Sequence, residues 1–128
     1  WVALATAALA ISGSWTAAIA QNTAAPAPVS LAMLSAEGAS IYRTRCAKCH
    51  GRNGDGNLQG PEVVPRLAGN FAHVSVREIT VQIIRGGSYM PPFANFTDRE
   101  IAAVATYIRN ASGNDHGIAS QAEVAGNR

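Results

Sequence analysis

The first 36 residues contain no charged side chain; the first is Glu37. The chain has only two cysteines, Cys46 and Cys49, in 128 residues. A four-cysteine zinc site is therefore excluded, and once those two thiols are committed elsewhere no structural disulfide remains to be drawn. There is no Ser-His-Asp arrangement, no phosphate-binding glycine loop, no internal repeat and no basic nucleic-acid signature. Asp55 and Glu62 fall in different loops and do not form a carboxylate pair. The net charge of +2 is too small to argue for a polyanionic partner. These absences remove most enzyme classes and nucleic-acid binding.

What is present is Cys46-Ala47-Lys48-Cys49-His50. C-x-x-C-H is the attachment signature of a covalent c-type haem. On a helical turn a two-residue gap puts both sulfurs on one porphyrin edge, where each thiol adds to a vinyl group, and His50 falls beneath the iron as an imidazole ligand. The same spacing also serves thioredoxin-like redox pairs and half zinc sites. The first needs a βαβ context and the second more ligands, whereas only His73 and His116 lie outside the motif.

Residues 1–20 are uncharged, free of proline and long enough for one bilayer crossing, about 20 residues. Small residues recur four apart at Ala3 and Ala7, Ala10 and Ser14, and Gly13 and Ala17, a spacing that suits close helix contact in a membrane. Ala18-Ile19-Ala20 also has the form of a signal-peptidase site. The length favours a retained N-terminal transmembrane anchor over a secretory signal. Residues 21–35, with Pro26 and Pro28, read as a semi-rigid linker. A head over residues 36–110 should follow, and residues 111–128, rich in Gly, Asn and Ala, read as a surface tail.

Within the head, Ser35 is a candidate cap for a helix that carries Glu37, Ile41 and Tyr42 into the haem motif. Gly51, Gly54 and Gly56 end it. Apolar spacing predicts a helix over 76–85, stopped by Gly86-Gly87. Thr97 and Glu100 form a capping box ahead of Ile101, Val104, Ala105 and Ile108. Between these helices, Gly86-Gly87-Ser88-Tyr89-Met90-Pro91-Pro92 is a loop that presents a thioether, a soft ligand that raises haem potential. Met33 and His73 are the alternatives for the second axial position.

Taken together, Gly38-x-x-Ile41-Tyr42, the Cys46 to Gly51 motif, Pro65-Arg66-Leu67-Ala68-Gly69, Met90-Pro91-Pro92-Phe93 and Ile101 to Ile108 resemble the class I monohaem cytochrome c family over residues 35–110. The head also looks like the small cytochrome subunits that accompany bacterial dehydrogenases and some terminal oxidases. The resemblance implies an all-α cytochrome c fold of three to four short helices around one covalent haem c. It implies His50 and Met90 as iron ligands, the Pro65 carbonyl as partner of the other His50 nitrogen, and Leu67 and Phe93 as haem walls. Gly38 and Tyr42 should meet Tyr107 at a close helix crossing. Arg66 faces either a propionate or solvent.

A six-coordinate His/Met iron has no open position, so it passes one electron and does no bond chemistry. The expected function is a membrane-tethered electron carrier, not an enzyme by itself, without a small-molecule substrate. It would relay electrons between a dehydrogenase or quinol-oxidising complex and a terminal acceptor such as an oxidase. The alternatives are a freely diffusing periplasmic carrier and, more remotely, a peroxidase-like or gas-sensing haem with an open position. Covalent haem c chemistry belongs to the outer face of a bacterial inner membrane, which puts the head in the periplasm. Arg43, Arg45, Lys48, Arg52 and Arg66 around the motif are candidates for steering an acidic partner.

Overall fold

The computed structural model describes residues 28–57, 59 and 62–128. The expected anchor over residues 1–20 and the first part of the linker lie outside the described residues. No helix among the described residues is long and apolar enough to cross a membrane.

The described residues form helices and irregular loops, with isolated bridges at Asn57–Val64 and Gly87–Met90 but no strand. Helix α1 spans Leu31–Ile41, passes through a π-helical turn over Tyr42–Cys46 and continues as α2, Ala47–His50. Helix α3 spans Val76–Arg85, α4 spans Asp98–Asn110 and α5 spans Gln121–Ala125.

Helix α1 starts earlier than the sequence suggested. Ser30, not Ser35, is the cap, and its Oγ accepts from the Met33 amide at 3.2 Å. Both serines have the necessary hydroxyl, but the residues between them are apolar or small, and Leu34 is buried, so the helix gains packing by extending back. Residues 31–35 of the expected linker are thus helical. Glu37 is consequently not in the first turn, and it pairs with Arg99 of α4 at 2.8 Å.

The centre of the fold is α4, in which Ile101, Ala102, Ala103, Val104, Ala105, Thr106 and Ile108 are all buried. Helix α1 crosses it at Gly38, where an added Cβ would lie 2.0 Å from the Ala103 carbonyl oxygen and 2.8 Å from Tyr107 Cβ. Only glycine permits that approach. The Tyr42 and Tyr107 rings lie next to the crossing with centroids 5.2 Å apart, as the resemblance implied.

Residues 111–128 are not a surface tail. Ala119 and Val124 are fully buried, and Ser120 with Glu123 makes a capping box that starts α5. Hydrogen bonds tie the segment to the rest of the fold. Asn110 Oδ1 accepts from the amides of His116 and Gly117, the Thr106 hydroxyl bonds the backbone of Ala119, and Asn127 Nδ2 donates to Thr80 Oγ1 at 2.8 Å. Arg109 donates to the carbonyls of Val74 and His116, and Arg128 to those of Ala94 and Phe96. A low density of apolar residues concealed the segment because two small apolar side chains, placed deep, are enough when the remaining contacts are hydrogen bonds.

Candidate functional site

One large cavity, of about 590 Å³, opens between the Cys46–Leu67 stretch and the face of α3, α4 and the 87–96 loop. That volume is within the range of small-molecule and cofactor sites, about 300–1,000 Å³. Cys46, Cys49, His50, Pro65, Leu67, Met90 and Phe93 all line it. Met33, more than half exposed on α1, and His73 do not, nor does His116.

The wall that carries the cysteines is built by helix followed by tight turns. The π-helical turn delivers Cys46 and the short α2 delivers Cys49 and His50, so both sulfurs and the imidazole issue from one stretch of five residues. Gly51 ends α2 with φ of 80°. Its carbonyl accepts from the Tyr42 hydroxyl at 2.8 Å, which ties the exit of the motif back to the start of the π-helical turn. Burial first, then the charge of Cys46, Tyr107 and Asp55, pushes the Tyr42 phenol up to about 12, so it stays a donor. The chain then folds back: the Gly56 amide donates to the His50 carbonyl at 2.9 Å, and Asn57 and Val64 exchange two backbone bonds of 2.9 and 2.7 Å. A Cβ on Gly56 would sit 2.5 Å from the Val64 carbonyl oxygen, so the return needs glycine there. This places the Pro65 carbonyl 3.3 Å from His50 Nδ1, leaving Nε2 for a ligand.

Burial, partly offset by the Pro65 carbonyl, lowers the His50 pKa below the usual histidine value. The ring is therefore neutral at neutral pH, the form that binds metal. Burial, with a smaller contribution from Cys49, pushes the Cys46 thiol up to about 11. Cys49 is exposed.

The opposite wall is apolar and comes from packing. Ile79 and Ile83 of α3, Val104 and Ile108 of α4, and Phe71, Phe93 and Phe96 face the cavity. Helix α3 ends at Gly86, where a Cβ would meet the Met90 carbonyl oxygen at 2.4 Å. The loop beyond is pinned by two bonds between Gly87 and Met90, of 2.9 and 2.7 Å, and by the Phe93 amide donating to Ile83 O at 3.0 Å. Phe93 and Phe96 pack as a tilted pair, with centroids 5.1 Å apart and ring planes at 54°. The loop thus presents the Met90 thioether from a fixed backbone.

Charges at the cavity lining are mixed. Arg45 and Arg66 are joined by Glu62 and Glu78, and Glu78 is kept a carboxylate by hydrogen bonds from the Ser75 hydroxyl and amide. Sequence reasoning missed most of the distal wall, including Gln82, whose Nε2 reaches Met90 Sδ at 3.7 Å. Its signal was a polar residue three positions from Ile79, on the apolar side of α3.

The helices and this cavity define a small all-α domain whose cavity suits a flat, largely apolar group, with two thiols at one edge. Residues 34–108 match the family described as cytochrome c oxidase, cbb3-type, subunit III. Cytochrome c-552 of Thermus thermophilus is 35% identical over 100 residues, covering 65% of this chain and 65% of that protein. Cytochrome c6 of Cyanidioschyzon merolae is 36% identical over 75 residues, 57% of this chain and 70% of its own. The cbb3-type cytochrome c oxidase subunit CcoP of Cereibacter sphaeroides is 36% identical over 90 residues, 66% of this chain but 30% of its own. The chain belongs to the class I monohaem cytochrome c family. Its cofactor is covalent haem c, and it is an electron carrier, not an enzyme by itself.

The site fits that cofactor. Two thiols and an imidazole stand on one side, a thioether on the other, and branched aliphatic and aromatic side chains lie between.

Proposed function

We propose that this chain is a one-electron relay in which Cys46 and Cys49 hold haem c as thioethers and His50 and Met90 are its two axial ligands. Haem c supplies the reversible one-electron change of iron. The protein's own residues fix the ligands and exclude water. Pro65 orients the His50 ring, Leu67 and Phe93 would wall the porphyrin, and with His50 and Met90 both bound the iron would keep no open position for a substrate or gas. The observation that carries this reading is the cavity of about 590 Å³ that gathers both cysteines and His50 from one stretch of chain and Met90 from another.

The relay is assigned to a membrane-tethered subunit on the periplasmic side of a bacterial inner membrane. It would pass electrons between a dehydrogenase or quinol-oxidising complex and a terminal acceptor, with a cbb3-type oxidase as the first candidate. Support comes from the family matched over residues 34–108 and from the uncharged, proline-free residues 1–20, with the head joined to them by a short linker. The freely diffusing carrier is the second reading. It is favoured by one observation: identity to cytochrome c-552 and cytochrome c6, 35% and 36%, equals that to CcoP.

Washing native membranes with high salt and alkaline carbonate separates the two. A tethered subunit keeps its covalent haem in the pellet and copurifies with oxidase or dehydrogenase subunits after mild detergent extraction. Release into the wash, with a mature N-terminus at Gln21, contradicts the tether. Electron-transfer rates that do not change with salt would remove a steering role for Arg43, Arg45, Lys48, Arg52 and Arg66.

A further inference from the structure

We infer that residues 111–128 act as a strap whose Arg128 side chain clamps the exit of the methionine loop, making Arg128 a positioning residue that sets how often Met90 leaves the iron. The inference rests on Met90 being the second axial ligand.

The loop between α3 and α4 is pinned at its entry by the two bonds between Gly87 and Met90 and by the Phe93 amide on the Ile83 carbonyl. Its exit is held from outside. Arg128 donates from Nη1 to the Ala94 carbonyl at 2.9 Å, from Nη2 to the Phe96 carbonyl, and from Nε to the Asp98 carboxylate in the first turn of α4. One planar guanidinium thus serves three acceptors across residues 94–98, a task suited to its rigid fork of donors. Phe96 lines the cavity and packs against Phe93, which lines it too. The clamp is therefore one ring pair away from the interior.

A clamp of this kind needs a mount. The Ser120–Glu123 box starts α5, and Val124 has no exposure. Asn127 accepts from Arg77 Nη1 at 3.4 Å and donates to the hydroxyl of fully buried Thr80 at 2.8 Å. The strap thus grips α3 through Asn127 and the far end of the loop through the next residue. Swinging the loop away from the cavity pulls Ala94 and Phe96 off Arg128, and bonds from a charged donor are among the stronger ones. The Arg128 and Asp98 side chains are each 34% exposed, so solvent weakens the clamp without removing it.

The consequence is a ligand-exchange equilibrium. A ligand from solution gains the distal position only in the fraction of molecules whose Met90 is off, so its apparent affinity scales with that fraction. The strap lowers the fraction and so protects the relay from stray ligands.

The test titrates the ferric holo-protein with imidazole, whose nitrogen replaces the Met90 sulfur with no change of oxidation state. Wild type should show the long-wavelength absorption band of thioether-ligated ferric haem. Arg128→Leu should bind imidazole about ten-fold more tightly, the worth of losing a hydrogen-bonded charge. Arg99→Leu is the control: it breaks the 2.8 Å pair with Glu37 on the same turn of α4, away from the loop, and should stay within about two-fold of wild type. Wild-type affinity in R128L with the band intact overturns the inference and leaves Met90 ligation standing. An equal rise in R99L also overturns it, because general destabilisation then suffices. A wild-type protein without the band overturns Met90 ligation and the inference together. If R128L takes up no haem, Arg128→Lys decides: it keeps the charge beside Asp98 but lacks the fork, so affinity should rise about three-fold, and wild-type affinity contradicts the clamp.

Discussion

The two walls of the cavity reach the same precision by different means. On the cysteine side, three of the proposed contacts to the cofactor come from five consecutive residues, and the rest of the wall is backbone hydrogen bonding across glycine-rich turns between His50 and Ala68. On the methionine side, one ligand is presented by a loop whose position depends on α3, on α4 behind it, and on residues 111–128 behind both. Local chemistry determines the first wall. Long-range packing determines the second, so damage far from the cavity should appear there first.

The largest effect expected on this comparison is at the local wall. Replacing both Cys46 and Cys49 by alanine should abolish covalent haem, read as complete loss of haem stain on a denaturing gel. Next is the crossing that supports the whole domain. Gly38→Val pushes side-chain atoms into the Ala103 carbonyl and should cost about 3 kcal/mol or more, read from the denaturation midpoint. Met90→Ala should leave haem attached and the fold near intact. It should eliminate the thioether band and lower the potential, since a Met ligand raises it. Val124→Ala, at a residue with no exposure, should cost about 2 kcal/mol and loosen the methionine wall before the cysteine wall; a surface tail would show less than about 0.5 kcal/mol.

The smallest effect concerns pH. Hydrogen bonds from Thr97 and Ser120 lower the pKa values of Glu100 and Glu123 below the ordinary carboxylate range. Depressed carboxylates contribute stability that is present at neutral pH and is lost as pH falls through their folded pKa values. Thr97→Ala and Ser120→Ala should each flatten the acid limb of the stability curve, and cost about 1 kcal/mol at neutral pH. Equal acid sensitivity in wild type and both variants contradicts these boxes.

The legibility of the chain follows the same division. The C-x-x-C-H motif, the Thr97–Glu100 box and the glycine stops are local patterns, and the structure has the helices that they predict. The loop with Met90 was legible because glycine and proline exclude helix there. The sequence alone points to Ser35 rather than Ser30 as the cap of α1 because both have the same capping hydroxyl, and only the burial of Leu34 decides between them. The order of residues 111–128 is not legible in the sequence because it depends on Asn110, Thr106 and Thr80, whose hydrogen bonds to the segment have no sequence periodicity. The Ser120–Glu123 box was the one readable signal there.

The central claim is that one haem c lies in this cavity between His50 and Met90. The chain has two methionines, Met33 and Met90, so the ligand can be assigned without ambiguity. In the ferrous holo-protein, one-dimensional proton NMR should show a methionine methyl resonance moved far upfield by the porphyrin ring current. It should remain in Met33→Leu and vanish in Met90→Leu. An upfield methyl that survives Met90→Leu, or none in the wild type, contradicts the account.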